Sequence, residues 1–152
     1  MTTMYDRAKW HYDGQFPSGR PISQAYVHIG MYLTWMALRG MADDTFFGRT
    51  WTGRDRLGPV KYRKRTACFL RDWLDEALAD DMLTDEGAAF SDRYYSGSPG
   101  YLGDWEATFG AAANDYSVPD TWETYERIAP LLDSRYEAWV GEVGPTGRGR
   151  PG

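Results

Sequence analysis

The chain has 152 residues, of which 42% are hydrophobic and 16% aromatic, and a formal net charge of -5. A chain of this length suits one domain with one core, and its aromatic density excludes a disordered chain. The acidic balance argues against nucleic acid or an anionic membrane as partner, and the lone cysteine, Cys68, excludes an intrachain disulfide and a thiolate zinc cluster. The first residues, M-T-T-M-Y-D-R-A-K-W, lack the apolar core of a signal peptide, so the cytoplasm is the expected compartment.

Residues 1–21 read as an extended arm, because Asp13-Gly14 signals a turn and Pro17, Gly19 and Pro21 disfavour helix. Trp10, Tyr12 and Phe16 suit rings that cap a core, or rings that rim a groove together with His11. In an extended chain Trp10 and Tyr12 face one way and His11 the other. Residues 22–40 then make the organising helix. Tyr26, Ile29, Leu33, Met36 and Ala37 form one apolar stripe, and Met31, Tyr32, Trp35 and Leu38 a second beside it. A helix this apolar all round belongs in a core. Pro21, Ser23 and Gly40 mark its ends. Its length raises a membrane span, but His28, Gln24 and Arg39 favour the core.

Residues 41–59 read as a glycine-rich loop pinned by Phe46, Phe47 and Trp51. Residues 61–79 predict a second long helix, with Leu70, Leu74, Ala77 and Leu78 inward and Arg71 within reach of Asp75. Its basic start and acidic end oppose the helix dipole. Thr84 is the expected N-cap of a helix over 85–95. Ser98-Pro99 starts another over 99–109, and residues 110–119 connect it to the last. The last helix opens with a capping box at Asp120 and presents Trp122, Tyr125, Ala129, Leu132, Tyr136 and Trp139 on one face. Pro130 should kink or split it. After Val143 the glycine- and proline-rich tail, 144–152, is expected to be disordered. The expected fold is all-α: a single domain over 1–143, with five or six helices around 22–40.

Chemistry is sparse. His11 and His28 are the only histidines. With a carboxylate they make a conceivable metal set, but no H-E-x-x-H or i,i+4 pair supports it. A hydrogen-bonded structural role suits His28, and His11 is the freer of the two. The acidic run from Asp72 to Glu86 lacks calcium-loop spacing, and Cys68 sits on a helix stripe as an inert core thiol. No P-loop, Rossmann or nucleophile-elbow pattern occurs. No cofactor is expected.

Several stretches together resemble a family of small uncharacterised bacterial domain proteins. They are A-K-W-H-Y with D-G-Q-F-P (8–17), H-I-G-M-Y-L-T-W (28–35), D-E-G-A-A-F-S-D-R-Y-Y (85–95), Y-L-G-D-W (101–105), D-T-W-E-T-Y-E-R-I-A-P (120–130) and D-S-R-Y-E-A-W (133–139). The 41–59 loop departs most. The resemblance implies no activity and no catalytic residues. By analogy of type, small acidic proteins of this kind look like immunity proteins that block a bacterial toxin. The leading expectation is therefore a non-enzymatic domain with a protein partner, of which such a toxin is the concrete case. A small-molecule or peptide module with an aromatic pocket, and a metal-assisted hydrolase, are the alternatives. Trp10, His11, Tyr12, His28, Tyr94, Tyr95 and Asp104 are the candidate binding residues.

Overall fold

A computed structural model describes residues 2–13, 16–43, 58–70, 76–97 and 100–144, without the Tyr12 side chain. Strand β1 (Met4–Arg7) runs directly into helix α1 (Ala8–Tyr12). A 3-10 turn over Ile22–Tyr26 leads into α2 (Val27–Leu38). There follow α3 (Gly58–Lys61), a 3-10 turn over Ala67–Leu70 and strand β2 (Ala77–Ala79). Then come a 3-10 turn over Asp80–Met82, α4 (Asp85–Tyr94), α5 (Gly100–Phe109), α6 (Ala111–Asn114) and α7 (Trp122–Val143). The fold is predominantly helical, with one small antiparallel sheet of β1 and β2.

Helix α2 is the core of the molecule, and every residue from Val27 to Ala37 is buried. Its end closes as the glycine predicted. Gly40 takes φ +74°, and Met41 N–H donates to the Met36 carbonyl at 2.8 Å, the bond that satisfies a helix's last carbonyls. Ser23 does not cap its start; it lies in the preceding 3-10 turn, where no side chain caps the backbone. Neighbours attach to α2 through polar groups as well as rings. Tyr32 shares a 2.8 Å hydrogen bond with Ser91 of α4. Trp35 donates Nε1–H to Asp133 of α7 at 2.9 Å. Thr34 accepts from Ala67 N–H at 2.8 Å. Gly30 is required by close approach: a Cβ there would lie 2.3 Å from Cys68 Sγ. Among the described residues no helix is long and apolar enough to cross a membrane.

Three expectations fail for physical reasons. Residues 1–21 are not a continuous extended arm, because β1 pairs with β2 and the chain then coils into α1. The helix expected over 61–79 is absent from its described residues. Arg63 and Glu76 take φ of 55° and 51°, the left-handed region that ends regular structure, and Ala77–Ala79 joins the sheet. The charge order that opposed a helix dipole agrees with this outcome; Arg71 and Asp75 lie outside the described residues. The third concerns Pro130: of the expected kink or split, the split does not occur, and the 22-residue α7 runs on through it. The proline is exposed, so the Glu126 carbonyl deprived of its helical donor can be hydrated.

The remaining boundaries shift only slightly. Thr84 caps α4 as expected, accepting from Gly87 N–H. The cap of α7 is Thr121, accepting from Thr124 N–H, one residue later than the expected Asp120. The connection over 110–119 contains the short α6. The rings of the 41–59 loop, the Ser98-Pro99 signal and the tail from 145 lie outside the described residues.

Candidate functional site

Three separate segments bring an acid and both histidines to one point. The β1–β2 register is irregular between Met4 and Asp6. Consecutive side chains, Tyr5 and Asp6, are therefore both buried, which a regular alternating strand does not allow. Tyr5 anchors the strand by donating to the Ala88 carbonyl and to Asp92. Helix α1 then sets the next residues. Ala8 and His11, three apart, share its inner face, whereas Trp10 turns outward and is 57% exposed. The Trp10 ring therefore does not cap the core, as one reading of the arm expected, and His11 faces a pocket rather than open solvent. His28 enters from the first turn of α2 and is buried.

Asp6 is the hub. Its Oδ1 lies 2.8 Å from His11 Nε2 and its Oδ2 lies 2.9 Å from His28 Nε2. Tyr95 donates its hydroxyl to Oδ2 at 2.5 Å, and the Arg7 backbone N–H donates to Oδ1 at 2.8 Å. The two imidazole Nε2 atoms stand 3.2 Å apart, and the far nitrogen of His11 lies 2.9 Å from the Tyr116 hydroxyl. Burial alone raises the Asp6 carboxyl, but the hydrogen bonds and charge of the two histidines outweigh it and hold the group well below the usual carboxylate range. His28 moves down, because burial penalises its cation more than Asp6 favours it. A neutral His28 can still donate a proton to Asp6. Burial, with Asp6 next, pushes the Tyr95 hydroxyl far up, so it remains a donor.

The cluster opens into a pocket of about 90 Å³ lined by His11, His28, Leu102, Trp105, Glu106, Ala113 and Tyr116. Tyr116 holds φ +51°, unusual for a bulky residue, and such strained conformations recur at functional sites.

Tyr94 and Asp104, also candidates, form a different cluster. Tyr94 donates to Asp104 Oδ2 at 2.5 Å, and Arg135 of α7 grips both Asp104 oxygens at 2.9 Å. The larger open spaces lie away from the histidines. One of about 220 Å³ runs over Tyr94, Arg135 and Trp139, where Arg93 and Arg135 are paired with Glu142 and Asp104. Another of about 240 Å³ runs beside Lys64, Arg65 and Asp120. Of the sequence candidates, the structure brings His11, His28 and Tyr95 together; Asp6 and Tyr116, which join them, were not among those candidates. Asp6 carries no spacing signal toward His11, and Tyr116 sits in a connection without a motif.

A family model described as a domain of unknown function, DUF7832, matches residues 4–118. The chain belongs to this family. The match agrees with the resemblance read from the sequence, to a family with no established activity. Asp6, His11, His28, Tyr95 and Tyr116 all fall inside the matched span, whereas Arg135 lies beyond it. No curated protein and no solved structure matches the chain.

Proposed function

We propose that this chain is a small-ligand-binding domain whose working centre is the pocket over Asp6, His11 and His28. The observation that carries this reading is the convergence of one carboxylate and two imidazoles from three segments at the floor of an aromatic pocket. Stability alone does not call for such a cluster, since apolar residues usually fill the same volume at no loss. Perturbed titratable groups facing a cleft are the ordinary signature of a site. At about 90 Å³ the pocket is well below the roughly 300–1,000 Å³ of drug-sized ligand sites, so the ligand is a small polar molecule, an ion, or the tip of something larger. Proton transfer through His11, and metal-assisted hydrolysis, are chemistries compatible with these groups.

The test is a thermal-shift screen of small polar compounds and divalent cations on the wild type and His11→Ala. A compound that stabilises the wild type and not the variant supports the site. Hits that act equally on both remove it.

The second reading is a cytoplasmic protein-binding domain of the immunity type. It draws support from the outward Trp10, 57% exposed, and from Ile22, 54% exposed, on two segments that pack together. Exposed aromatic anchors of this kind dominate protein interfaces. Trp10→Ala should then abolish a complex with a protein partner while leaving every small-ligand response intact.

A further inference from the structure

We infer that Asp6, His11 and His28 form a site for a first-row divalent transition-metal ion of the Zn²⁺ kind, with Tyr116 and Tyr95 holding the ligands in place. This rests on the pocket reading above and specifies its ligand. Three close contacts join the cluster: His11 Nε2 to Asp6 at 2.8 Å, His28 Nε2 to Asp6 at 2.9 Å, and the two nitrogens to each other at 3.2 Å. Each Nε2 carries at most one hydrogen. Both hydrogens can point at the ionised Asp6, one to each oxygen, and the 3.2 Å approach of the nitrogens is then an ordinary contact. If one hydrogen is absent, a bare nitrogen lone pair faces a carboxylate lone pair. Without an ion the cluster is satisfied by two Nε2–H donors on one carboxylate, and what marks it as a metal set is that three potential ligand atoms converge beside open space. Asp6 already accepts from Tyr95 and from Arg7 N–H, which favours the ionised form.

A cation can take the place of the two shared hydrogens, because all three groups then turn lone pairs toward one centre. The spacing suits it. One ligand atom from each residue lies within 4.8 Å of the others. Metal bonds of about 2.0–2.1 Å place neighbouring ligand atoms about 2.9–3.3 Å apart, from octahedral to tetrahedral geometry. The donor set names the class: imidazole with carboxylate suits zinc, iron, cobalt or nickel, whereas calcium and magnesium take oxygen ligands. The surroundings are those of a metal histidine. With Nε2 toward the ion, His11 Nδ1–H donates to Tyr116, fixing the tautomer and the ring. Three protein ligands leave further positions free, and the neighbouring pocket gives them space.

The experiment uses the full chain stripped with a chelator and titrated with Co²⁺ by visible absorption, then with Zn²⁺ in competition by calorimetry. One equivalent of Co²⁺ should produce d–d bands that Zn²⁺ abolishes. Tyr116→Phe should weaken Zn²⁺ about 10–100-fold, and His11→Ala should weaken it more, with circular dichroism reporting the fold. If His11→Ala does not fold, Tyr116→Phe decides. Absence of one-equivalent uptake by the wild type overturns the inference, and so does unchanged affinity in the folded variants. If no ion binds while an organic compound still stabilises the wild type through His11, the metal inference falls and the pocket reading stands. If neither binds, both fall.

Discussion

Two buried aspartates sit at the centre of two polar clusters, and they differ in kind. Asp104 meets an arginine that grips both its oxygens and a tyrosine that donates to one. Arg135 carries five donors and no acceptor, and it keeps its charge at any ordinary pH. Its hydrogen bond and ion pair with Asp104 push it still higher. That cluster is a closed tie between α5 and α7. Asp6 meets two imidazoles, which can lose a proton and offer a lone pair, and its cluster opens into a pocket. The lesson is that a buried carboxylate is not in itself a site. The partners decide whether the group is tied down or left able to do chemistry.

The largest expected difference is in stability. Asp6→Ala leaves His28 and the Tyr95 hydroxyl buried without their acceptor, at a cost of about 1–3 kcal/mol for each orphaned donor in urea unfolding. A loss below about 1 kcal/mol would mean that the cluster does not form. Asp104→Ala should cost less, about 1–3 kcal/mol, because the Arg135 side chain is 45% exposed and water replaces part of what it loses. Equal losses would erase the distinction between the clusters.

Acid should separate them next. The folded pKa of His28 lies below its ordinary 6.5. Between those values the unfolded chain binds a proton that the folded chain refuses, so stability is present above about pH 6.5 and falls as the pH drops. Asp6, held below its ordinary value, adds a loss of the same sign at lower pH. For His28 the fall should be read between pH 7.5 and 5.5. It should vanish in His28→Gln and persist in Arg135→Met; a flat wild-type profile would contradict the depressed His28. The smallest effect belongs to Tyr116→Phe. Tyr116 is half-buried at the pocket mouth, so deleting its hydroxyl should cost no more than about 1 kcal/mol of stability. A larger loss would make Tyr116 a structural strut rather than a holder of His11.

What the sequence disclosed follows the same division between local and distant causes. Thr84, Gly40 and the apolar stripes of α2 and α7 act within a few residues, so their elements were legible. The sheet was not. Ala77, Leu78 and Ala79 fit a helical stripe by spacing, and only pairing with residues some seventy positions earlier makes them a strand. Short strands owe their state to such context. Asp6 was hidden for that reason. Its inward turn depends on the irregular strand register, and its meeting with His11 depends on α1, which the glycines and prolines nearby argued against. His28 was legible as buried, but its partners were not.

The most direct test of the central claim is one nuclear magnetic resonance titration reading the histidine imidazoles, the Arg135 guanidinium and the Trp10 indole together, as Zn²⁺ and then the hits of the thermal-shift screen are added. The account predicts that the His11 and His28 signals move and saturate while those of Arg135 and Trp10 stay in place. Imidazole signals that hold still while Arg135 or Trp10 responds would contradict it.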